Sequence, residues 1–375
     1  MHPHKLLLVS VSLLLCTAIA SMPEGEAEAL LRWKSTLLNA TSLSTWSLAD
    51  PTCSWYGVSC DADGHVTRVQ LVGAGIAGTL HSLCSTAFHN LTGLELGYNN
   101  LTGAIPANIS LLVTLTYLNL DSNNLSGAIP YQLCRLPRLK FLYLSNNGLN
   151  GKFPWLSFKT TDQGMECINL SGNALSGQIP GSLPDIFPRL TYLHLSSNGF
   201  SGPIPRSLSS LQNLKSLDLS ENNLTGGIPQ EIGMISELQY LHIGNNLLGG
   251  PIPASLGKLN MLTDLNIRDN GLVSTLPPEL GNLTSLVFMD LSQNQLFGTL
   301  PPCFAGMQKL SIFRLSRNSI SGVIPPEILS NCTRIEWFDL SNNLFSGSIP
   351  AELGNMAYNE LKKTPGDILG HEELF

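Results

Sequence analysis

Charge is scarce in this 375-residue sequence, where Asp, Glu, Lys and Arg make up 13% of the residues, about half the share usual in globular domains. Basic residues are the minority, since 20 Lys and Arg face 27 Asp and Glu and the net charge is −7. The low charge excludes a charge-rich disordered chain and a coiled coil. The missing basic surplus argues against nucleic-acid binding, which requires a basic face for the phosphates.

Long apolar runs are also missing. The chain begins with Lys5, a mainly apolar run of twelve residues over 6–17, and small residues ending at Ala20. This pattern predicts a secretory signal peptide over residues 1–20, because a membrane anchor needs about 20 apolar residues. No later run reaches the length of a transmembrane helix. We therefore expect a secreted protein, attached to a membrane only if a longer isoform carries a transmembrane helix.

The predicted mature chain has no Cys-x-x-Cys motif and no closely spaced His pair, so no metal site is expected. Seven cysteines remain once Cys16 is removed with the signal peptide. In an oxidising compartment, Cys53 and Cys60, which share a loop with Trp55 and Gly57, are predicted to form a disulfide. The other cysteines lie far apart, and we expect them to act as small core hydrophobes with their pairing left open. They are Cys84, Cys134, Cys167, Cys303 and Cys332.

What the sequence does contain is a repeat. The motif Leu-x-Leu-x-x-Asn-x-Leu-x-Gly-x-Ile-Pro recurs in twelve units, here called coils 1 to 12, and seven of its eleven intervals are 24 residues. Its Gly is present in eleven coils, and Ser274 is the exception. The Asn of the motif is called the ladder position. From coil 1 to coil 12 it is held by Ala74, Asn99, Asn123, Asn147, Asn173, Asn198, Asn222, Asn246, Asn270, Asn294, Asn318 and Asn343.

One coil cannot be stable alone. Leu-x-Leu places two apolar side chains on one face of a short strand, and only the stacking of the next coil covers them. The ladder Asn can satisfy buried backbone groups, while Gly and Ile-Pro permit a reversal followed by an extended return segment. The predicted fold is an α/β solenoid. It is a curved right-handed superhelix of about 12 repeats with a parallel β-sheet on its concave face.

The complete unit resembles the plant-specific class of leucine-rich repeat. Ahead of it, Glu28-Ala-Leu30-Leu31-Arg-Trp33, then Trp46, then Cys53-x-Trp55-x-Gly57-Val58-x-Cys60 resemble the N-terminal cap of plant receptor-like kinases, receptor-like proteins and polygalacturonase-inhibiting proteins. These families usually end in a second cysteine pair, which this sequence lacks after Pro350. We therefore expect a truncated receptor relative, the product of a shortened transcript, or a weakly capped secreted form.

The resemblance and the repeat together predict four segments. They are the signal peptide over 1–20, the cap with its helix and the Cys53–Cys60 loop over 21–65, the repeats over 66–355, and an irregular tail over 356–375.

No residues point to catalysis or to a cofactor. Gly73-x-Gly75-x-x-Gly78 fits a dinucleotide fingerprint, but it falls in coil 1, where no helix is expected to begin at the glycines. The nucleophile elbow, zinc and kinase motifs are missing from the sequence. We predict a non-enzymatic protein without a cofactor.

The concave face supplies the candidate binding residues. Two columns are predicted to point outward, one between the two strand leucines and one just before the first of them. The first is variable, and nothing structural is expected to hold it. The second is rich in aromatic residues, which either provide a binding surface of large area at low entropy cost or pack laterally on each other. The aromatic members are Tyr117, Phe141, Tyr192, Tyr240, Phe288 and Trp337.

Two groups of polar residues stand out in these columns and beside them. His194, Asp218 and His242 come from successive coils and either share a proton in a pH-dependent ligand contact or form a solvated row. A charged group in coils 9 to 11 either pairs internally or uses Arg314 and Arg317 to hold a ligand carboxylate. This charged group consists of Asp264, Arg268, Asp269, Asp290, Arg314 and Arg317. The predicted ligand-binding residues are Tyr192, His194, Asp218, Tyr240, His242, Asp264, Arg268, Phe288, Asp290, Arg314 and Trp337.

Nine Asn-x-Ser/Thr sequons are predicted glycan acceptors in a secreted chain. A glycan at Asn169 would divide the concave face and direct a partner towards coils 6 to 11, and an unmodified Asn169 is the alternative. The sequons lie at Asn39, Asn90, Asn100, Asn108, Asn124, Asn169, Asn223, Asn282 and Asn331.

The resemblance implies a receptor-type ectodomain in the plant apoplast or at the cell surface. It would bind a peptide or protein ligand on the concave face in signalling or defence, with a co-receptor as a candidate second partner. The alternative is a secreted inhibitor of microbial wall-degrading enzymes, similar to polygalacturonase inhibitors. Those proteins have fewer repeats, a paired C-terminal cap and a basic tendency, so the twelve coils and the negative charge disfavour this alternative.

Overall fold

The computed structural model describes residues 25–158 and 164–352. The predicted signal peptide and the predicted tail over 356–375 lie outside the described residues. The helices are α-helices at Glu26–Thr36, Leu183–Ile186 and Pro326–Asn331. Short 3-10 turns are found at Thr41–Leu43, Thr52–Ser54, Ala107–Leu111, Tyr131–Arg135, Trp155–Ser157, Arg206–Ser210, Gln230–Met234, Ala254–Lys258, Pro278–Asn282 and Pro302–Gly306.

A thirteen-stranded sheet runs the length of the molecule and forms its concave face. Twelve strands, one from each coil, pair in parallel and in register, and Val58–Cys60 of the cap adds an antiparallel strand beside coil 1. The predicted solenoid is thereby confirmed. The strands of coils 1 to 12 are Val66–Gln70, Gly93–Glu95, Tyr117–Asn119, Phe141–Tyr143, Cys167–Asn169, Tyr192–His194, Ser216–Asp218, Tyr240–His242, Asp264–Asn266, Phe288–Asp290, Ile312–Arg314 and Trp337–Asp339.

The leucine columns form one continuous core, as the stacking argument requires. In coil 7, for example, Leu217 and Leu219 are fully buried between the corresponding residues of coils 6 and 8. The short 3-10 turns close the outer side and contribute residues such as Leu208 and Leu256 to the same core.

The return segments pair into a second sheet along the side of the solenoid, here called the lateral sheet. It has seven strands in coils 1 to 7 and resumes with three in coils 10 to 12. The motif Gly has a left-handed φ in all eleven coils that carry it, whereas Ser274 does not, since a Cβ disfavours that conformation. The interruption includes the coil of Ser274. The strands are Ala77–Gly78, Asn100–Gly103, Asn124–Ala128, Gly148–Lys152, Ala174–Gly177, Gly199–Pro203, Asn223–Thr225, Phe297–Thr299, Ser319–Gly322 and Leu344–Phe345.

The ladder asparagines hold neighbouring coils together. In coil 7 the Asn222 Nδ2 donates to the carbonyl oxygens of Leu195, Leu219 and Ser220, and its Oδ1 accepts from the Phe200 N–H at 2.9 Å. One buried side chain thus satisfies four backbone groups from two coils. Asn270 is different, because its Oδ1 is buried without a partner in the described residues.

The residue before each ladder position also has a left-handed φ, which the repeat motif did not predict. Non-glycine residues there have φ between 51° and 56°, including Tyr98, Glu221 and Arg317. Asn, Asp and Gly, which tolerate this conformation well, hold half of these twelve positions, and that composition was the available signal.

The N-terminal cap closes the first coil with aromatic residues. Helix Glu26–Thr36 buries Leu30 and Trp33. The Trp33 ring lies 6.2 Å from that of Trp46, which lies 5.6 Å from that of Trp55. The predicted disulfide between Cys53 and Cys60 is present.

The remaining described cysteines do not all belong to the core. Cys84, Cys134, Cys167 and Cys332 are buried, but Cys303 is exposed, and its thiol contacts the Pro278 carbonyl oxygen at 3.1 Å. The prediction of a core cysteine was therefore wrong for Cys303. This residue lies on a 3-10 turn where the neighbouring Phe304 points inward in its place.

Burial should also divide these cysteines by reactivity. It raises the pKa of Cys84 and Cys134 to about 12 and that of Cys167 and Cys332 to about 11. These groups therefore remain protonated, unreactive thiols at pH 8. We expect iodoacetamide to modify Cys303 first in the native protein, as measured by peptide mass spectrometry. Urea should make all five react, and native labelling of the four buried thiols at the rate of Cys303 would contradict the burial.

Candidate ligand-binding face

In coils 2 to 12 the first and third residues of the concave strand face outward and the second faces the core, and in coil 1 the corresponding residues are Arg68, Val69 and Gln70. Among the rings of the aromatic column, Tyr192, Tyr240 and Trp337 are the most exposed, at 41%, 40% and 41% of their surface. Lateral packing also occurs, because the Tyr117 ring lies 5.7 Å from that of Phe141. The two alternatives for the aromatic column therefore apply to different coils.

The variable column, formed by the third residue of each concave strand, has a structural role in half of the coils. The prediction that nothing structural holds this column was therefore wrong. Where Asn or Asp occupies this position, its Oδ1 accepts the backbone N–H two residues later. This contact caps the end of the strand and accounts for the residue type. The residues that do so are Asn119, Asn169, Asp218, Asn266, Asp290 and Asp339.

In coils 6 to 8 the predicted row of His194, Asp218 and His242 lies on adjacent strands, but these side chains do not hydrogen-bond to one another. His194 Nε2 lies 2.7 Å from the Ser216 Oγ, and Asp218 Oδ1 accepts from the Ser220 Oγ at 2.6 Å. His242 Nε2 is buried without a partner in the described residues. Burial lowers the pKa of His194, attraction to Asp218 opposes this and repulsion from His242 reinforces it. The lowered pKa favours the neutral form of His194, and its Nε2 contacts Ser216 rather than Asp218, so no hydrogen bond joins His194 to Asp218.

Coils 10 to 12 contain a preformed ion pair. Arg314 Nη1 lies 3.6 Å from Asp290 Oδ2, and Asp290 is only 2% exposed. The Arg314 guanidinium carbon lies 5.9 Å from the centroid of Phe288 and 5.4 Å from that of Trp337. Asp290 is thus corrected from a ligand contact to the buried partner of Arg314.

The other predicted charges do not pair with one another within 4 Å in the described residues. Arg268 Nε donates to Gln293 Oε1 at 2.7 Å, and Asp264 Oδ2 accepts from Thr263 Oγ1 at 2.8 Å. No ion pair joins Arg314 and Arg317 to a shared acceptor in this part of the chain. The expected internal ion-pair network is therefore reduced to Arg314 and Asp290.

A second polar cluster, in coils 3 to 5, was not among the predicted site residues. The Tyr117 and Tyr143 rings are 5.4 Å apart, and Cys167, which pairs with Phe141 in the strand register, forms a side-chain hydrogen bond with Tyr143. Burial is the main cause that raises the pKa of Tyr117, Tyr143 and Asp121. Tyr117 in the aromatic column was the only indication of this cluster in the predicted aromatic residues, and its presence did not show that Tyr117, Tyr143 and Asp121 are partly desolvated.

The sequons differ in access. Asn90 and Asn108 are half-buried, and their Nδ2 atoms donate to the Asp61 carboxylate and the Cys84 carbonyl oxygen. Asn169 is half-buried in the concave column, and Asn39 is exposed with its Nδ2 donating to the Gly75 carbonyl oxygen. The sites that combine exposure with no such contact are Asn100, Asn124, Asn223, Asn282 and Asn331.

Family comparisons agree with this geometry. The leucine rich repeat N-terminal domain matches residues 23–61. Leucine rich repeat families match residues 89–149, 164–186, 188–248, 261–283, 285–307, 309–331 and 334–356. The chain belongs to the leucine-rich repeat proteins. The dinucleotide-like motif is part of the first repeat, where Gly73 lies in a turn, Gly75 in the irregular segment that follows and Gly78 in a lateral strand.

In sequence, this leucine-rich repeat chain is similar to plant receptor-like kinases. A probable leucine-rich repeat receptor-like protein kinase of Arabidopsis thaliana is 38% identical over 107 residues, which is 27% of this chain and 10% of the kinase. Structures of PEPR1–AtPEP1 and of Arabidopsis HAESA with the peptide hormone IDA and the co-receptor SERK1 superpose with TM-scores of 0.75 and 0.73. Their identities are 30% and 33%, and each alignment covers 88% of this chain.

The leucine-rich repeat fold alone does not decide function. A plant ice-binding protein superposes with a TM-score of 0.66 and 28% identity, over 86% of this chain and 96% of its own. The receptor alignments cover 50% of the PEPR1 chain and 59% of the HAESA chain, so this chain spans only part of the receptors it matches. Within the described residues, no helix has the length and apolar character to cross a membrane. The function is therefore argued from the side chains.

Proposed function

We propose that this chain is a non-enzymatic extracellular recognition module of the receptor type, which binds a peptide or protein along the concave sheet. The carrying observation is that Tyr192, Tyr240 and Trp337 leave about two fifths of their surface exposed on a rigid sheet. Large rings held on a preformed surface give binding energy at low entropy cost. Complexes of the receptor neighbours with a peptide and a co-receptor support the same class of partner.

The concave face divides into two regions with different capacity. Coils 6 to 8 expose Tyr192 and Tyr240 beside Asp218, whereas coils 10 to 12 already use Arg314 for contacts within the chain. An incoming ligand therefore finds more exposed rings and a carboxylate without a cationic partner in coils 6 to 8. By this proposal the chain acts in plant signalling or defence, outside the cell.

Binding can be tested without a known ligand. AtPEP1, IDA and a phage-displayed random peptide library would be presented to the immobilised chain, and bound peptides measured by biolayer interferometry. Replacing Tyr192, Tyr240 and Phe288 by Ala should weaken a bound peptide at least about tenfold, as expected when aromatic anchors are removed.

A matched control removes similar apolar area from other faces. Tyr131, Phe297 and Leu344 are exposed on the outer turns and the lateral sheet, so their replacement by Ala should leave affinity unchanged. Equal loss in both triple variants, or no loss in the concave variant, would reject binding on the concave face. Inhibition of polygalacturonase is the competing outcome, and undiminished pectin hydrolysis with excess protein would exclude it.

A further inference from the structure

Two parts of the concave sheet repeat the same arrangement four coils apart. In coils 10 to 12 the first strand residues are Phe288, Ile312 and Trp337, and in coils 6 to 8 they are Tyr192, Ser216 and Tyr240. In each case two rings flank a residue without a ring. The rings originate two strands apart, or about 9.6 Å at the usual spacing. Each pair of rings can therefore accept a flat group between them.

In coils 10 to 12 the chain itself fills this space. The third residue of coil 11 is Arg314, whose guanidinium lies near both the Phe288 and the Trp337 rings while it pairs with Asp290. A planar cation that meets aromatic faces and a carboxylate combines cation–π attraction with an ion pair. This group shows how the repeat geometry holds a guanidinium.

In coils 6 to 8 the cation is missing. The residue that corresponds to Arg314 is Asp218, whose side chain is short and turns to Ser220. Tyr192 and Tyr240 remain about two fifths exposed. In the described residues no Lys or Arg forms an ion pair with Asp218. The neighbouring His194 ring lies edge-on to the Tyr192 ring at 6.3 Å with its Nε2 2.7 Å from the Ser216 Oγ, and burial lowers its pKa, which favours the neutral form. The site thus has rings and a carboxylate but no positive partner of its own.

We propose that Tyr192, Tyr240 and Asp218 form a subsite for an arginine side chain of the partner peptide. The guanidinium lies between the two tyrosines, as Arg314 lies between Phe288 and Trp337, and it pairs with Asp218. Asp264, which pairs with Tyr240 in the strand register, adds negative charge beside the site. Arginine is preferred to lysine because its flat group can contact two rings at once. This subsite rests on the proposed function and defines the chemistry of the partner.

The experiment uses N-acetyl-arginine amide as the probe and N-acetyl-citrulline amide as its uncharged match. Saturation-transfer NMR titrations with the full chain at pH 7 measure both dissociation constants. We expect the arginine probe to bind about tenfold more tightly than the citrulline probe. N-acetyl-lysine amide should fall between them. Equal binding of the arginine and citrulline probes would overturn the subsite.

Asp218→Asn should abolish the preference for arginine over citrulline. It should fold normally, because Asn119, Asn169 and Asn266 make the same cap at this position in other coils. Asp218→Arg should also prevent binding, since it would place a guanidinium of the chain in the space.

Asp339→Asn is the matched control. Asp339 accepts from the Ser341 N–H at 3.0 Å and from its Oγ at 2.7 Å, nearly as Asp218 does from Ser220 at 3.1 and 2.6 Å. This control should keep the arginine preference, and equal loss in both Asn variants would reject the assignment. If selected peptides bind through the concave face without any preference for arginine, the subsite fails while the proposed function stands.

Discussion

Replacing Asn222 by Ala should lower the free energy of unfolding by about 4 kcal/mol, because one buried N–H and three buried carbonyls lose their partner. Those groups belong to Phe200, Leu195, Leu219 and Ser220 and come from two coils. The change therefore weakens both the coil and its contact with the preceding one. Urea unfolding followed by circular dichroism would measure the shift in midpoint.

Asn270→Ala provides the internal comparison. Asn270 donates to the carbonyls of Ile243, Ile267 and Arg268, but its Oδ1 accepts no hydrogen bond in the described residues. Its replacement leaves no N–H unsatisfied, so the loss should be about 1 to 2 kcal/mol smaller. Equal destabilisation by the two variants would show that the acceptor contact of the ladder contributes nothing.

Gly257→Ala should destabilise the protein by about 3 kcal/mol, although such a change in a helical turn often stabilises. A Cβ at Gly257 would fall on the carbonyl oxygen of Glu279 in the next coil, well inside van der Waals contact. Backbone cannot move aside as a flexible side chain can, so the two turns must separate. The thermal unfolding midpoint would report the loss.

Gly181→Ala is the control for this steric effect. The atom nearest to a Cβ at Gly181 is the Ser207 Oγ at 3.9 Å, and the φ of Gly181 is not left-handed. We expect a neutral or slightly stabilised protein. A Gly257 variant as stable as the Gly181 variant would mean that adjacent turns are not packed backbone to backbone.

The candidate site was only partly predictable from the sequence. The outward columns were predictable, because alternation along a strand fixes which side chains leave the core. Whether these side chains are free to contact a ligand was not predictable. Asp290 and Asp218 lie in the same column and each accepts from the Ser two residues later, but only Asp290 is buried against an arginine. The difference comes from the neighbouring coil, where Arg314 meets Asp290 and no such cation meets Asp218.

The twelve coils, their stacking, the ladder of asparagines and the cap disulfide all followed from the sequence, because each depends on residues within one period of the repeat. The break in the lateral sheet, the exposure of Cys303 and the tight contact at Gly257 required the tertiary structure. In other coils the position of Gly257 is held by Ser110, Cys134 and Ser209. The sequence alone would therefore predict that a side chain fits at Gly257. These features depend on which residues of adjacent coils contact each other, and the repeat pattern of the sequence does not specify those contacts.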